Sequence, residues 1–441
     1  MRLLNTETEN IEEFFGEKIP LQYAVLSHRW GDEEVSLQDW LARSSRPDVR
    51  AREGFRKIQL CCEQAKKDGI EWAWIDTCCI DKSSSQELSE AINSMFHWYG
   101  NSSVCYVHLF DYDSDTFDDT RLGDCEWFFR GWTLQELIAP QKVNFYNNNW
   151  EYFAAKSDPH MCQAISEITK IDAEFLLGSD LELASIAKRM SWASKRKTTR
   201  PEDTAYCLLG IFDINMPLLY GEGTKAFKRL QEEIMKLFPE DHSLYAWGTP
   251  VDKCSIEVSI EKSMRVSEEK VTNQVASPEP LGGLLAKSPQ DFQFSRNYSP
   301  VPWAGHFYTT LWRNTAAAAS YPTAVGKGVR IELPYNFQPL FYYQFSEQSV
   351  SQIRYGCYAV LLCQDDTDEH VTPYIPLVRW GSGYYARSGE LYLRRQAQST
   401  HNPLLGIFDL KSTITIAPER KPQLQSGNVI LRSVLDLRAF S

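Results

Sequence analysis

The stretch Trp127 to Pro140, WFFRGWTLQELIAP, places a carboxylate, Glu136, four residues after an indole, Trp132. On a short helix residues i and i+4 are neighbours, so acid and ring would share one surface. Two readings of Glu136 compete. Thr133-Leu-Gln-Glu136 fits the T-x-x-E capping box, in which the acid turns back to its own helix backbone, and the pattern alone favours that reading. A catalytic acid would instead face a cleft above the strands of a sheet. Trp132 reads as a stacking platform for a flat ligand ring or as one core tryptophan among 13.

Ser27-His28-Arg29-Trp30 follows a short apolar run, Tyr23 to Leu26. In an α/β sheet the loop after a strand lies at the ligand edge. There the planar Arg29 fork suits a phosphate or carboxylate, against the plainer reading of a local salt bridge. Ser27 and His28 lack a G-x-S-x-G elbow, which argues against triad hydrolysis. Asp76 and Asp81-Lys82 flank the exit of a second apolar run, WAWI, where they would orient a ribose or a loop. Cys78 and Cys79 between them read as small buried residues.

Three further patterns carry less. Asp111, Asp113 and Asp115 open like a calcium loop, but Thr116 holds the sixth position and Leu122 the twelfth, so a solvated loop is expected. Gly221-Glu222-Gly223 lacks P-loop spacing and reads as a helix cap before an anion site. Lys195-Arg196-Lys197 with Arg200 reads as a solvated turn before an anion site. No metal site is expected.

These residues need elements to hold them. Tyr23 to Leu26, Trp72 to Ile75, Val104 to Leu109 and Lys142 to Tyr146 are strand-like apolar runs. Between them Phe55, Ile58, Cys62 and Ala65 share a helical face, and Leu88, Ile92, Met95, Phe96 and Tyr99 share another behind an S-x-x-E box at Ser84 and Glu87. Strands alternating with helices imply a three-layer α/β domain with a parallel sheet, over residues 1–155. A helical segment follows over 156–248. Pro201-Glu202-Asp203 looks like a helix start there, and Phe227, Leu230, Ile234 and Leu237 line a helix stopped by Pro239. Residues 249–441 read as a β-rich domain, irregular over 262–328. Its candidate strands are 329–333, 358–363, 374–378, 384–393, 413–416 and 429–435, with turns such as Gly381-Ser382-Gly383.

Composition narrows the function. Of 441 residues, 43% are apolar and 24% charged, as in globular proteins. The formal net charge of −12 argues against a general nucleic-acid binder. Eleven cysteines, an odd number with no CxxC, do not form a disulfide framework and fit reduced thiols. The amino terminus lacks signal-peptide features and no apolar run is long enough for a membrane span. A cytoplasmic protein is expected.

Several blocks together resemble the fungal heterokaryon-incompatibility (HET) domain family: YAVLSHRWGD at 23–32, WAWIDTCCIDK at 72–82 running into ELSEAINSMFHWY, and FRGWTLQELIAP at 129–140. RKTTRPEDTAYCLLGIFDINMPLLYGEG at 196–223 resembles the segment that commonly follows that domain. The resemblance implies a role in non-self recognition and programmed cell death. HET domains in turn resemble Toll/interleukin-1 receptor (TIR) domains, which implies a flavodoxin-like fold. Some TIR domains hydrolyse NAD with a glutamate in a W-x-x-x-E motif, which Trp132-Thr-Leu-Gln-Glu136 matches. The resemblance thus implies Glu136 as catalyst and NAD as substrate, with no resident cofactor. Ser27, His28, Arg29, Trp30, Asp76, Asp81 and Trp132 would surround the ligand. Self-association and an unidentified protein trigger are further implied. The acidic insert 111–126 is longer than the TIR connection, and the loop 76–86 has no glycine. The alternative is a non-enzymatic signalling module in which Glu136 only caps its helix.

Overall fold

The computed structural model describes residues 1–252 and 284–300, together with 361, 363–367 and the backbone of further strands between 281 and 416. One compact unit comprises 1–234 with 287–296, and a second takes the remainder.

The first unit is built on a seven-stranded sheet: β1 (Arg2–Asn5), β2 (Ile11–Glu13), β3 (Ala24–His28), β4 (Trp72–Trp74), β5 (Val104–His108), β6 (Val143–Tyr146) and β7 (Tyr152–Ala155). The order across it is β2-β1-β4-β3-β5-β6-β7. The central pairs β3–β4, β3–β5 and β5–β6 are parallel. Their strands are the four apolar runs of the sequence. The sheet is nonetheless mixed, which corrects the expectation of an all-parallel one. β1 and β2 form an antiparallel hairpin on β4, and β7 returns antiparallel on β6. All three are short, and β2 and β7 are the edges of the sheet, each with a single neighbour.

β3 and β5 are buried at every position, as expected of strands covered on both faces. The helix Glu53–Lys67 packs Phe55, Ile58, Cys61, Cys62 and Ala65 inward. Each large apolar side chain buried this way contributes roughly 1.5–3 kcal/mol. Its start presses on the loop after β3: a Cβ at Gly54 would lie 2.6 Å from the Glu33 carbonyl oxygen. The helix Ser85–Gly100 buries Ala91, Ile92, Met95 and Tyr99. Its expected capping box is half made. Ser84 Oγ accepts from Glu87 N at 3.3 Å, but the Glu87 carboxylate accepts from Asp81 N at 2.8 Å and pairs with Arg2.

Asp76–Cys79, expected as loop, is one helical turn. The helices Pro159–Thr169, Ile186–Ala193 and Lys225–Leu237 follow the sheet. Asp203–Tyr206 is a single turn after Pro201. Among the described residues no helix is long and apolar enough to cross a membrane.

In the second unit the strand Val371–Arg379 pairs antiparallel with Gly356–Val360, Tyr384–Ser388 and Leu391–Arg395. The run read as one strand over 384–393 is therefore two, both laid on the same neighbour. Gly328–Glu332 pairs with Thr413–Ile416. The candidate strand 429–435, the turn 381–383 and most of the segment 262–328 lie outside the described residues.

Candidate functional site

Glu136 sits in the helix Thr133–Ile138, whose six residues are all buried. The helix is capped by no side chain, and Thr133 is its first residue, not its N-cap. Thr133 Oγ1 lies 2.5 Å from the Trp127 carbonyl oxygen and accepts from Arg196 Nη1 at 2.8 Å. The capping-box reading therefore fails, because Thr133 is committed elsewhere and Glu136 turns away from its own backbone. The Ser27 hydroxyl, at the end of β3, donates to Glu136 Oε2. Ser27 Oγ in turn accepts from Trp127 Nε1 at 2.8 Å.

Burial pushes the Glu136 carboxyl up to about 8, with Asp76 adding to the rise, while the Ser27 hydrogen bond, Arg130 and Arg196 oppose it. A carboxylic acid so held changes charge near neutrality, as catalytic acids do. It is 8% exposed, and that edge opens on a cleft of about 1050 Å³. This volume suits a nucleotide-sized ligand.

The cleft lies over the carboxyl end of β3, where the strand order turns from β4 on one side to β5 on the other. Ligands of open α/β sheets collect at such switch points. Leu26, His28, Arg29 and Trp30 line it from β3 and its loop, and Asp76 and Lys82 line it from beyond β4. Trp30 Nε1 donates to Asp76 Oδ2 at 2.9 Å. Lys82 Nζ stands 3.4 Å from the Trp30 ring centroid, so an ammonium already covers one face of that indole. Burial lowers the Lys82 pKa, against the pull of Asp76.

Arg29 Nε meets Glu126 Oε2 at 3.0 Å, and its guanidinium lies 4.8 Å from the Phe110 ring centroid. Glu126 belongs to the acidic insert, which thus supplies part of the cleft wall. His28 Nε2 is 3.6 Å from Glu34 Oε2, and Lys57 pairs with the same carboxylate. Burial alone would raise Glu34, but His28 and Lys57 draw it down to about 2. Trp132 lines the cleft at the head of the Glu136 helix. Ser27 is fully buried and supports Glu136 from behind. Asp81 stands apart from the cleft wall, accepting from Gln38 Nε2 at 2.7 Å and Ser83 N at 2.9 Å.

Lys195, Arg196, Lys197 and Arg200, read from sequence as a solvated turn, form the cleft wall that carries most of its cations. Gly131 makes this possible. Its N–H donates to the Lys197 carbonyl at 2.8 Å, and a Cβ there would run into Thr198 Cγ2. Arg196 Nη1 donates to the Arg130 carbonyl at 2.9 Å, while Arg196 Nη2 is buried with no partner among the described residues. Burial lowers Arg196 to about 10. The only signal in the sequence was the charge run itself, which does not say where it folds.

Other motifs resolve structurally. The Gly221 and Gly223 N–H groups both donate to Glu202 Oε1 at 2.9 Å, so an internal carboxylate fills that nest. Cys78 is buried and its thiol is pushed well above its ordinary range, which removes it as a nucleophile. Among the described residues no three His, Cys, Asp or Glu side chains converge on a metal position.

Fold and site define an α/β domain whose basic, strand-end cleft encloses one buried glutamate. Residues 23–122 match the family model described as heterokaryon incompatibility protein (HET), and the chain carries a HET domain. Residues 225–372 match a domain of unknown function, DUF8212. The chain is 47% identical over 233 residues to the vegetative incompatibility protein HET-E-1 of Podospora anserina. That match covers 50% of this chain and 16% of the relative, so the chain spans a small part of the relative's length. No solved structure matches the chain.

Proposed function

We propose that this chain acts in vegetative incompatibility, as its relative's name describes, and that its HET domain hydrolyses the nicotinamide–ribose bond of NAD. The observation that carries the reading is Glu136 held by Ser27 at the edge of a cleft whose wall over 195–200 is cationic. The central strand order, second-first-third-fourth in the chain, supports a flavodoxin- and TIR-like architecture. The Trp132-x-x-x-Glu136 spacing supports it too.

Cleaving the bond builds positive charge on the ribose, as in glycoside hydrolysis. A preorganised carboxylate beside that ribose stabilises the charge as it develops. The nicotinamide ring of NAD is itself cationic, so its arrival favours the ionised form of Glu136. The lysines and arginines of 195–200 suit the pyrophosphate. Trp132 remains the ring platform, since Lys82 covers Trp30. Self-association completes the active form, under control of a protein trigger.

The test is nicotinamide release by purified protein, concentrated and with a crowding agent, beside Glu136→Gln. Release by wild type alone supports the reading. Equal release by both removes Glu136 as catalyst. No release from an assembled wild type leaves a non-enzymatic signalling domain.

A further inference from the structure

A second cavity, of about 330 Å³, shares a wall with the cleft. Phe129, Ser194, Lys195, Arg196 and Gln293 line both. Its other walls are unlike those around Glu136. Phe128, Trp192 and Phe294 supply flat aromatic surface, and Lys170 and Arg296 supply charge. Arg296 is already paired with Asp172. Lys170 has no carboxylate partner among the described residues.

Two buried donors lack acceptors here. Trp192 is 2% exposed and its Nε1 has no partner among the described residues. The same holds for Arg196 Nη2, on the wall between the two cavities. Leaving such groups unsatisfied is costly, so a site that does so without a ligand asks for an acceptor. Aromatic walls together with cations and an orphan N–H fit a base joined to a phosphate.

We propose that the small cavity binds the adenosine-monophosphate half of a dinucleotide, with Arg196 meeting the bridging phosphates. The inference rests on the hydrolase reading for the other half of the ligand, which extends into the Glu136 cleft. It also gives the segment 287–296 a role. Gln293, Phe294 and Arg296 of this segment form part of the wall, and every residue lining the cavity lies beyond the HET family match at 23–122. A dinucleotide would then be preferred over nicotinamide mononucleotide, because only the former reaches both cavities.

The experiment is calorimetric titration of the full chain with AMP, using wild type, Glu136→Gln, Trp192→Phe, Lys170→Gln and Phe294→Ser. Thermal melts confirm that each variant is folded. Wild type and Glu136→Gln should bind AMP alike, since Glu136 lies in the other cavity. Trp192→Phe keeps the ring and removes the donor, and should weaken binding about tenfold. Lys170→Gln and Phe294→Ser should weaken it several-fold. Binding unaffected by all three variants, or no AMP binding at all, overturns the proposal. Because AMP has no nicotinamide bond, AMP binding without NAD hydrolysis would sink the hydrolase reading alone. NAD hydrolysis without AMP binding would sink this inference alone.

Discussion

Ser27 and Glu136, 109 residues apart in the chain, share one hydrogen bond across the end of β3. Ser27 is fully buried and spends its acceptor capacity on the Trp127 indole. The carboxyl is thereby held by the strand beneath it.

Ser27→Ala should move the Glu136 titration to higher pH, because the hydroxyl opposes the burial that raises it. In an NAD hydrolysis profile, kcat/KM of wild type should rise with an inflection near 8. In the variant the inflection should move up by roughly one unit. The change also strands the buried Trp127 N–H, which should cost about 1–3 kcal/mol in denaturant unfolding. A variant with an unmoved inflection would show that the bond does not govern the acid.

Asp76→Asn should act in the opposite direction. The Asp76 charge adds to the rise of Glu136, and its removal lets the acid ionise earlier. Asparagine still offers an oxygen to Trp30 Nε1, so the loop can keep its hydrogen bond. The inflection should fall by roughly half a unit to one unit. A shift upward, or a profile identical to wild type, would remove Asp76 from the electrostatics of the cleft.

The four parallel strands were readable because buried strands are near-continuous apolar runs, as Tyr23 to Leu26 and Val104 to Leu109 are. Arg2–Asn5, Ile11–Glu13 and Tyr152–Ala155 were not, since three or four mixed residues carry no period long enough to recognise. The T-x-x-E pattern misled for a local reason. It assumes that Thr133 precedes the helix, whereas Thr133 lies inside it. The cationic wall was invisible for a tertiary reason: Lys195 to Arg200 reaches the cleft only because Gly131 permits backbone contact with Lys197. No spacing within the charge run records that contact.

Gly131→Ala tests that contact directly. The new methyl would collide with Thr198 Cγ2 and come within 3.1 Å of Cys207 Sγ. Overpacking of this kind typically costs about 1–3 kcal/mol. The segment 195–200 should withdraw from the Glu136 helix, weakening the Arg196 bonds to Arg130 O and Thr133 Oγ1. The readouts are a lower midpoint in urea and weaker binding of inorganic pyrophosphate. Retained pyrophosphate affinity in a destabilised protein would mean that the basic wall does not serve anions.

Glu136→Gln should stabilise the fold, and the gain should grow with pH. The folded-state pKa of Glu136 is about 8, and an unfolded glutamate titrates near ~4.3. Between those values the folded chain keeps a proton that the unfolded chain has lost. Stability therefore falls as pH rises through this window, and the loss is complete above the folded-state value. Glutamine has no proton to lose and can still accept from Ser27. Melting curves of the two proteins should lie close together at the acidic end of the window. At its alkaline end the variant should be more stable by up to roughly 5 kcal/mol, several degrees or more in Tm. The same substitution should abolish NAD hydrolysis, so stability and activity would change in opposite directions at one residue. A gap between the melting curves that does not widen with pH would mean that Glu136 is ionised in the folded protein, with its charge met by Arg130 and Arg196.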